Sequence, residues 1–395
     1  MQCVGGILGC DQRMIVGATY GLIGSWLAIR ENVLLEIKNG KIFRIVIGGD
    51  KRDADIFYEE AVLIPGFINM HTHIGDSIAR EKAYGKDIFV SVARSDSLKF
   101  KILSETPKET LVEAMVTALR EMAMRGIVTF FDFREGGMEG AYLMREALTR
   151  IPLNGFIMGR PDGDPLEKVL EVSDGLGLSS LNKYSDEQLV MMAEQARSLG
   201  KYVGFHASET QSQREKSIRN YGFSDVMRAL RLQFDFDFVV HLTYADKHEL
   251  ELLTRKSKLI VFCPRANMYL GLKAPPISEA IELGALFAFG TDNVMLNSPD
   301  LFREFDAVVR LIRVEGMTPD PKLLLAAVTT IPSKALNLRT GILSEGFQAD
   351  FFVFDLTKPN VAFVDDIYRA IVLRGSEMNV LQTYAAGRPL LNKEN

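Results

Sequence analysis

Residues 65–77, PGFINMHTHIGDS, decide the fold prediction, because an apolar run stops there at two histidines separated by one residue. The chain has only five histidines, so two of them at one point of the sequence are unlikely to be incidental. On an extended strand, residues two apart point to the same side, which lets His71 and His73 share one cation. The stretch therefore predicts a strand that delivers two metal ligands at its carboxyl end.

From Val62 onward, short apolar runs alternate with longer segments of helical periodicity, which indicates repeated βα units around a parallel sheet. The eight predicted strands are VLIPGFINM (62–70), GIVTFFDF (126–133), PLNGFIMG (152–159), GLGLS (175–179), KYVGFHA (201–207), FDFVVHLT (236–243), KLIVFCP (258–264) and ALFAFGTD (285–292). Amphipathic segments such as 109–126 and 186–200 lie between them, and the second ends in the glycine expected after a helix. Eight strands with intervening helices predict a (β/α)8 barrel, the TIM-barrel form of α/β protein.

The sequence pattern at the two ends of the chain is different, because it predicts short strands and no long helices. In residues 33–49, the Asn39-Gly40 pair separates two alternating apolar runs, which is a strong hairpin signal. Strand-like runs return at 349–356, 369–375 and 379–391. Both ends are therefore expected to form a single small β-domain beside the barrel.

Composition excludes several classes of protein. Charged residues make up 25% of the chain and the formal net charge is −5, so nothing indicates a broad phosphate-binding surface for a nucleic acid polymer. The uncharged segment 14–29 has 16 residues, fewer than the ~20 of a spanning helix. Its glycines and β-branched and aromatic residues predict two short strands and a turn rather than a membrane anchor.

The cysteines indicate a reducing compartment. Cys3, Cys10 and Cys263 are odd in number and have no CxxC spacing, which argues against a disulfide framework. We therefore expect a cytoplasmic protein.

Three further candidate ligands also end predicted strands. His206 ends the run 201–207, His241 lies near the end of 236–243, and Asp292 ends 285–292. In a barrel, the carboxyl ends of the strands converge on one face, which carries the active site. Nitrogen and oxygen donors of this kind suit Zn²⁺ or Fe²⁺. Singly, each histidine could equally be a core or capping residue, and His248, in a polar helix start, is expected to face solvent.

Taken together, these motifs resemble the amidohydrolase superfamily. The matching stretches, in the expected order, are PGFINMHTH for strand 1, FHASET for strand 5, VVHLT for strand 6, FGTDN for strand 8 and GILSEGFQADFFVFD for the return into a small β-sandwich. The resemblance covers about residues 33–390 and implies a (β/α)8 barrel with a β-sandwich formed from both termini. The expected domains are 1–64, the N-terminal part of the sandwich, 65–340, the barrel, and 341–395, its C-terminal part.

The residues after His206 narrow the resemblance to one branch. The H-x-x-E motif that ends at Glu209 is similar to adenosine, cytosine, guanine and S-adenosylhomocysteine deaminases, in which the resemblance implies a single metal ion. Two-metal members use a carboxylated lysine after strand 4. Here the run GLGLS ends in serines, and Lys183, a little later, is interpreted as a loop residue.

The S-adenosylhomocysteine and methylthioadenosine deaminase-like proteins are the most similar subgroup. This chain departs from them after the HTH motif, where residues 74–87 lack the usual tryptophan-bearing lid segment and Trp26 is the only tryptophan. A pocket for a large thioether nucleoside is therefore in doubt. Smaller heterocycles, pterins or another aminopurine stay open.

The resemblance implies one divalent metal ion, with zinc favoured and iron as the alternative, bound by His71, His73, His206 and Asp292. Asp292 would also act as general base, Glu209 as proton shuttle, and His241 would stabilise charge on the reacting centre. Predicted substrate contacts are Asp132, Arg134 and Arg265, since a guanidinium suits anionic or carbonyl groups. Pairing of these arginines with structural carboxylates such as Asp132 or Glu135 is the alternative.

The sequence thus predicts a hydrolytic deaminase of an amino-substituted heterocycle such as a purine, pyrimidine, pterin or nucleoside-like compound. One alternative keeps the metal and changes the leaving group to an amide, imide or halide. Another is a non-catalytic structural relative. The expected partner is a small heterocyclic molecule, with no nucleic acid polymer and no membrane, and a homo-oligomer is compatible with the resemblance.

Overall fold

The computed structural model describes residues 13–88, 90–91, 97–232 and 234–390. Cys3 and Cys10 lie outside these residues, whereas Cys263 is a buried free thiol. Within the described ranges, no helix is both long enough and apolar enough to cross a lipid bilayer.

The strands, in chain order, are β1 (Arg13–Ile23), β2 (Ala28–Lys38), β3 (Lys41–Val46), β4 (Ile56–Pro65), β5 (Phe67–His73), β6 (Ile127–Arg134), β7 (Asn154–Gly159), β8 (Gly175–Leu178), β9 (Tyr202–Ala207), β10 (Phe238–His241), β11 (Leu259–Phe262), β12 (Phe287–Phe289), β13 (Asp292–Asn293), β14 (Phe351–Asp355), β15 (Val380–Ala385) and β16 (Arg388–Pro389). The α-helices are α1 (Leu98–Glu105), α2 (Lys108–Ala123), α3 (Gly137–Arg150), α4 (Leu166–Val172), α5 (Asp186–Ser198), α6 (Gln211–Tyr221), α7 (Asp225–Arg231), α8 (Lys247–Arg255), α9 (Pro264–Tyr269), α10 (Ile277–Glu282), α11 (Leu301–Val314), α12 (Pro321–Ala326), α13 (Thr330–Ala335) and α14 (Ile367–Arg369). Short 3-10 turns lie at Lys51–Asp53, Ile74–Ala79, Leu181–Lys183, Pro359–Val361 and Glu377–Asn379.

One seven-stranded mixed sheet, in the order β16-β15-β14-β4-β1-β2-β3, contains strands from both ends of the chain. The predicted strand–turn–strand in 14–29 is confirmed by the antiparallel pairing of β1 with β2. The predicted hairpin is confirmed as well, because β2 pairs with β3 across Asn39 and Gly40, whose φ angles of 51° and 75° suit a tight hairpin turn. Both ends therefore form one β-unit, as predicted, built as a single hydrogen-bonded sheet among the described residues.

The strand predicted at 369–375 is wrong. Helix α14 occupies Ile367–Arg369, and a π-helical turn follows at Ala370–Arg374. The Asp366 side chain accepts a hydrogen bond from the Arg369 N–H and so starts the helix. Ala370, Ile371 and Val372 are all buried, which a helical path allows and an alternating strand of a half-exposed sheet does not.

The second sheet has nine parallel strands in the order β12-β11-β10-β9-β8-β7-β6-β5-β13. The runs predicted as strands from residue 126 onward correspond to β6 to β12, and β13 continues the last one after Gly290 and Thr291. Strand β12 pairs with β11, whereas β13 pairs with β5 at the opposite end of the order. One segment, 287–293, therefore contacts both ends of the parallel sheet.

The predicted strand 62–70 divides between the two sheets. Strand β4 of the mixed sheet ends at Pro65, and β5 of the parallel sheet begins at Phe67. Gly66 lies between these two strands, where a Cβ atom would come 2.6 Å from the Cγ2 atom of Val128. Only glycine allows the chain to pass so close to β6 as it moves from one sheet to the other.

Capping residues account for both ends of helix α5, which the sequence predicts at 186–200. Helix α5 begins with a capping box, in which the Ser185 hydroxyl accepts from the Gln188 N–H and the Gln188 side chain accepts from the Ser185 N–H. It ends before Gly200, which has a φ of 65°. The helix predicted at 186–200 is therefore confirmed.

A cluster of phenylalanines joins the two sheets. The ring of Phe67 on β5 lies 4.8 Å from the ring of Phe352 on β14 and 5.4 Å from that of Phe302 on α11, measured between centroids. All three side chains are buried. Edge-to-face packing of this kind adds to the free energy gained by burial of the rings.

We expect Phe352→Ala to lower the free energy of unfolding by about 3–5 kcal/mol, because it opens a cavity between the two sheets. Chemical denaturation followed by fluorescence and circular dichroism measures the change. The control is Phe363→Ala, since Phe363 is fully exposed. Equal effects of the two substitutions would show that the cluster does not hold the sheets together.

Candidate metal centre and active site

Four histidines and one aspartate meet at the carboxyl edge of the parallel sheet. His71 and His73 end β5, His206 lies in β9, His241 ends β10 and Asp292 begins β13. All five residues are at most 5% exposed. Parallel strands bring residues far apart in sequence to the same edge, so the convergence predicted from the sequence is present in the structure.

The donor atoms are spaced as the ligands of one ion would be. The Nε2 atom of His71 lies 3.3 Å from Oδ1 of Asp292, and the Nε2 atom of His73 lies 3.6 Å from the same oxygen. The Nε2 atoms of His73 and His206 are 3.4 Å apart. Ligand atoms about 2.1 Å from a tetrahedral zinc ion lie roughly 3.4 Å from one another. The spacing therefore fits a single metal ion.

The hydrogen bonds of His73 and His206 provide an independent test of this fit. Nδ1 of His206 lies 3.0 Å from the Leu178 carbonyl oxygen, which can only accept, so this nitrogen carries the proton. Nδ1 of His73 lies 2.8 Å from the carboxylate of Glu135, which fixes its tautomer in the same way. Both Nε2 atoms then present lone pairs to each other at 3.4 Å. A cation between them turns this repulsion into attraction.

Burial sets the charge state of the centre. Burial lowers the pKa of His71 to about 3 and lowers that of His206 well below its ordinary value, so both rings are neutral. Burial would raise the pKa of Asp292, but its close contacts with His71, His241 and His73 outweigh burial and lower that pKa. Neutral imidazoles and an ionised carboxylate are the forms that bind metal ions.

Glu209 and His241 lie beside the proposed ligands. Oε1 of Glu209 is 3.8 Å from Nε2 of His241, and neither ring nitrogen of His241 has a hydrogen-bond partner among the described residues. Burial, opposed by the charge of His241, raises the pKa of Glu209 above its ordinary value. Its backbone is held by Gln213, whose side chain accepts from the Glu209 N–H and donates to the His206 carbonyl.

Three residues at this edge have left-handed backbone conformations that non-glycine residues rarely adopt. The φ angles are 46° at Ser208, 76° at His241 and 60° at Asp292. Asp225 fixes the first, because its carboxylate accepts from both the N–H and the hydroxyl of Ser208 at 2.8 and 2.7 Å. Such conformations persist only where the surrounding structure imposes them, and they are concentrated at functional sites.

A second layer of buried charges, which the sequence analysis missed, surrounds His73. Lys99 on α1 is buried, and its Nζ lies 2.6 Å from Oε1 of Glu135, 3.2 Å from Asp76 and 3.2 Å from Asn293. Burial would raise the pKa of Glu135, but the charges of Lys99 and His73 lower it well below the usual range. Glu135 entered the sequence analysis only as a structural partner of the arginines, and nothing in the sequence around Lys99 sets that lysine apart.

The predicted substrate contacts Asp132 and Arg134 are buried in the same layer. Asp132 accepts from the Ile74 N–H at 2.6 Å and from Arg134 at 3.3 Å, and so holds the turn after β5. The Arg134 guanidinium donates to Glu135 at 2.7 Å and fills the space beside Gly75, where a Cβ atom would overlap it. Arg134 also borders the cavity described below. Its role as a substrate contact stays a prediction.

Arg265 lies apart from the cavity wall. Its guanidinium pairs with Glu304 at 3.2 Å and donates to the carbonyls of Ser298 and Asp300. Arg265 therefore forms the structural pairing that was the alternative to a substrate contact. Its position gives no support to a role in substrate binding. His248, in contrast, is 67% exposed on its helix, as predicted.

A cavity of about 920 Å³ opens onto the centre. Its floor contains His73, His206, Glu209, His241 and Asp292. Apolar side chains form part of the wall: Ile88, Phe100, Leu103, Leu111, Met115 and Leu143. The size and the mixture of apolar and polar groups suit a small organic molecule.

Comparisons with known proteins agree with this geometry. The Amidohydrolase family model matches residues 62–390. A putative aminohydrolase from Methanothermobacter thermautotrophicus is 31% identical, over 92% of this chain and 93% of the relative. A 5-methylthioadenosine/S-adenosylhomocysteine deaminase from Thermococcus onnurineus is 25% identical, over 92% of this chain and 90% of the relative.

Among solved structures, an adenosine deaminase from Xanthomonas campestris with bound zinc has the same fold. It superposes with a TM-score of 0.86 at 19% identity, covering 98% of this chain and 95% of the other. The family match extends over most of the residues that build the parallel sheet, the centre and the return to the mixed sheet. The chain therefore belongs to the amidohydrolase family of hydrolases that act on carbon–nitrogen bonds.

Proposed function

We propose that the protein is a metal-dependent hydrolytic deaminase of an amino-substituted heterocycle. The observation that carries the proposal is the pair of imidazole lone pairs of His73 and His206, 3.4 Å apart beside the ionised Asp292, at the floor of a cavity that also contains Glu209. Two relatives named as an aminohydrolase and a deaminase support the same chemistry.

The proposed ligands of the ion are His71, His73, His206 and Asp292. Zinc is our choice, because three imidazoles and a carboxylate suit it and because the Xanthomonas deaminase was solved with zinc. When bound, such an ion lowers the pKa of a coordinated water toward neutrality. His241, the fourth histidine at this edge, is left to face the reacting centre rather than the ion.

Three side chains have separate roles in the proposed reaction. Asp292, ionised because its pKa is lowered, accepts the proton of the attacking water. Glu209 holds a proton more readily than an ordinary carboxylate and passes it to the ring nitrogen next to the attacked carbon. It then relays the water proton from Asp292 to the amino group, which leaves as ammonia, and regains its own proton as the new hydroxyl group becomes a carbonyl. His241, 3.8 Å from Glu209, donates to the oxygen that gains negative charge.

The proposal extends to the architecture around the site. The pairing of residues 287–293 with β11 at one end and β5 at the other supports a closed (β/α)8 barrel. The hydrogen bonds between Asn69 and Thr291, at 2.8 and 3.0 Å, support the same closure. A closed barrel would fix the distance between His71 and Asp292, because each lies on one of the two strands that meet.

We expect His71→Ala to lose most of its bound metal, because it removes a buried ligand and leaves Asp292 without its nearest partner. Metal content of purified protein, measured by inductively coupled plasma mass spectrometry, gives the answer. His248→Ala is the matched control, since His248 is exposed and remote from the centre. Stoichiometric metal in His71→Ala would exclude the proposed ligand set.

We expect Glu209→Gln to retain its metal and to lose about 10²–10⁴-fold in kcat, because the amide cannot carry a proton between water and the ring. Ammonia release from a panel of purines, pyrimidines, pterins and nucleosides measures turnover, and chloride release from halogenated rings tests the alternative leaving group. Glu194→Gln, at an exposed glutamate on α5, is the control. Unchanged ammonia release by Glu209→Gln would remove Glu209 from the mechanism.

A further inference from the structure

The lining of the cavity is rich in basic side chains, although the whole chain has a net charge of −5. Six basic side chains border the cavity: Lys99, Arg134, Arg160, Lys183, Lys216 and Arg219. The first two are neutralised by the buried carboxylates around His73, and Arg160 pairs with Asp162 at 2.7 Å. Glu139, which also borders the cavity, pairs with Lys108, so the basic side chains of the lining without an ion-pair partner among the described residues are Lys183, Lys216 and Arg219.

Lys183, Lys216 and Arg219 have no carboxylate partner among the residues that the structure describes. Lys183 donates to the neutral hydroxyl of Ser179 at 2.9 Å. Partial loss of water and the nearby charges of Arg160 and Lys216 lower the pKa of Lys183. Asp162 and Glu135 oppose this shift from a distance, but neither forms an ion pair with Lys183, so its ammonium group stays available to an anion.

Two chain segments hold these side chains on the same wall. Lys183 ends the 3-10 turn that follows β8, and Lys216 and Arg219 are three residues apart on α6, so they share one face of that helix. The Asn182 side chain joins the two segments by donating to the Gln213 carbonyl at 2.9 Å. Hydroxyl and amide groups line the wall between the cations, at Ser179, Ser180, Asn182, Thr210 and Ser212.

We propose that the substrate carries a phosphate monoester, and that Lys183, Lys216 and Arg219 bind this group while its amino-substituted ring lies at the metal centre. The inference rests on the proposed deaminase function for the ring. Three unpaired cations exceed the single charge of a carboxylate and match a dianionic phosphate, whose oxygens also accept from hydroxyl groups.

The position of the wall also sets the shape of the substrate. Helix α6 starts two residues after Glu209, and Lys216 and Arg219 follow Gln211 by five and eight residues. With a rise of 1.5 Å per residue, they lie roughly 8 and 12 Å along the helix from its start. This distance exceeds the width of a single heterocyclic ring, and a spacer such as a ribose between the ring and the phosphate fits this placement.

The first experiment measures binding without turnover. Inorganic phosphate is titrated into the metal-loaded protein by isothermal calorimetry, with sulfate and acetate as comparison anions. We expect phosphate to bind, with an affinity that falls as sodium chloride is raised, and to bind at least about tenfold more weakly to Lys183→Gln/Lys216→Gln. Acetate binding as tightly as phosphate, or no phosphate binding by the unaltered protein, would overturn the proposal.

The second experiment compares kcat/KM for neutral nucleosides with that for the corresponding 5′-monophosphates. We expect the ratio of monophosphate to nucleoside to exceed tenfold, and to fall by at least about tenfold in the double variant. Lys256→Gln is the control, since Lys256 is exposed at the end of α8 and does not border the cavity. Equal kcat/KM for both compounds, or a ratio unchanged in the double variant, would contradict the phosphate site.

The two experiments separate this inference from the proposed function. Ammonia release without any preference for phosphorylated compounds would overturn the phosphate site and leave the deaminase intact. Specific phosphate binding that the double variant loses, with no ammonia from any compound, would support the site and contradict deamination.

Discussion

The structure around the active site depends on one electrostatic constraint, the close approach of imidazole lone pairs and a carboxylate in a buried place. His73 and His206 face each other through Nε2 at 3.4 Å, and Asp292 lies against both His71 and His73. Without a cation this arrangement is repulsive and poorly hydrated. The surrounding protein must therefore hold each ring and carboxylate in place, and most of the unusual local features of the fold serve this purpose.

Those features form a continuous layer beneath the centre. Glu135 fixes the tautomer of His73, and Lys99 neutralises Glu135 and Asp76 together. Asp132 holds the turn after β5 through the Ile74 N–H. Each buried charge has a partner, which is the condition under which ionised groups are tolerated inside a protein. The layer thus pairs the buried charges around the centre while the imidazole Nε2 atoms stay available to a metal ion.

Much of this arrangement could be predicted because its signals are local. Strand-ending histidines and the Asn39-Gly40 hairpin depend on periodicity and turn chemistry, which neighbouring residues determine. Two kinds of feature could not be predicted. The helical path at 367–374 starts at the Asp366 cap and buries the consecutive residues Ala370, Ile371 and Val372, and an apolar run alone does not distinguish this path from a strand. The role of Lys99 depends on the distant Glu135 and Asn293, and its own surroundings in the sequence resemble those of any helical lysine.

The buried position of Lys99 also bears on how molecules reach the centre. Helix α1 brings the ammonium group between Glu135 and Asp76, so displacing that helix would leave two desolvated carboxylates facing each other. Lys183, Lys216 and Arg219 are exposed and have no carboxylate partner among the described residues, whereas Arg214 ties α6 to Asp246 and Glu249. The α1 side of the cavity is therefore a fixed boundary, because a displacement of α1 would also remove the cation that holds Glu135 against His73.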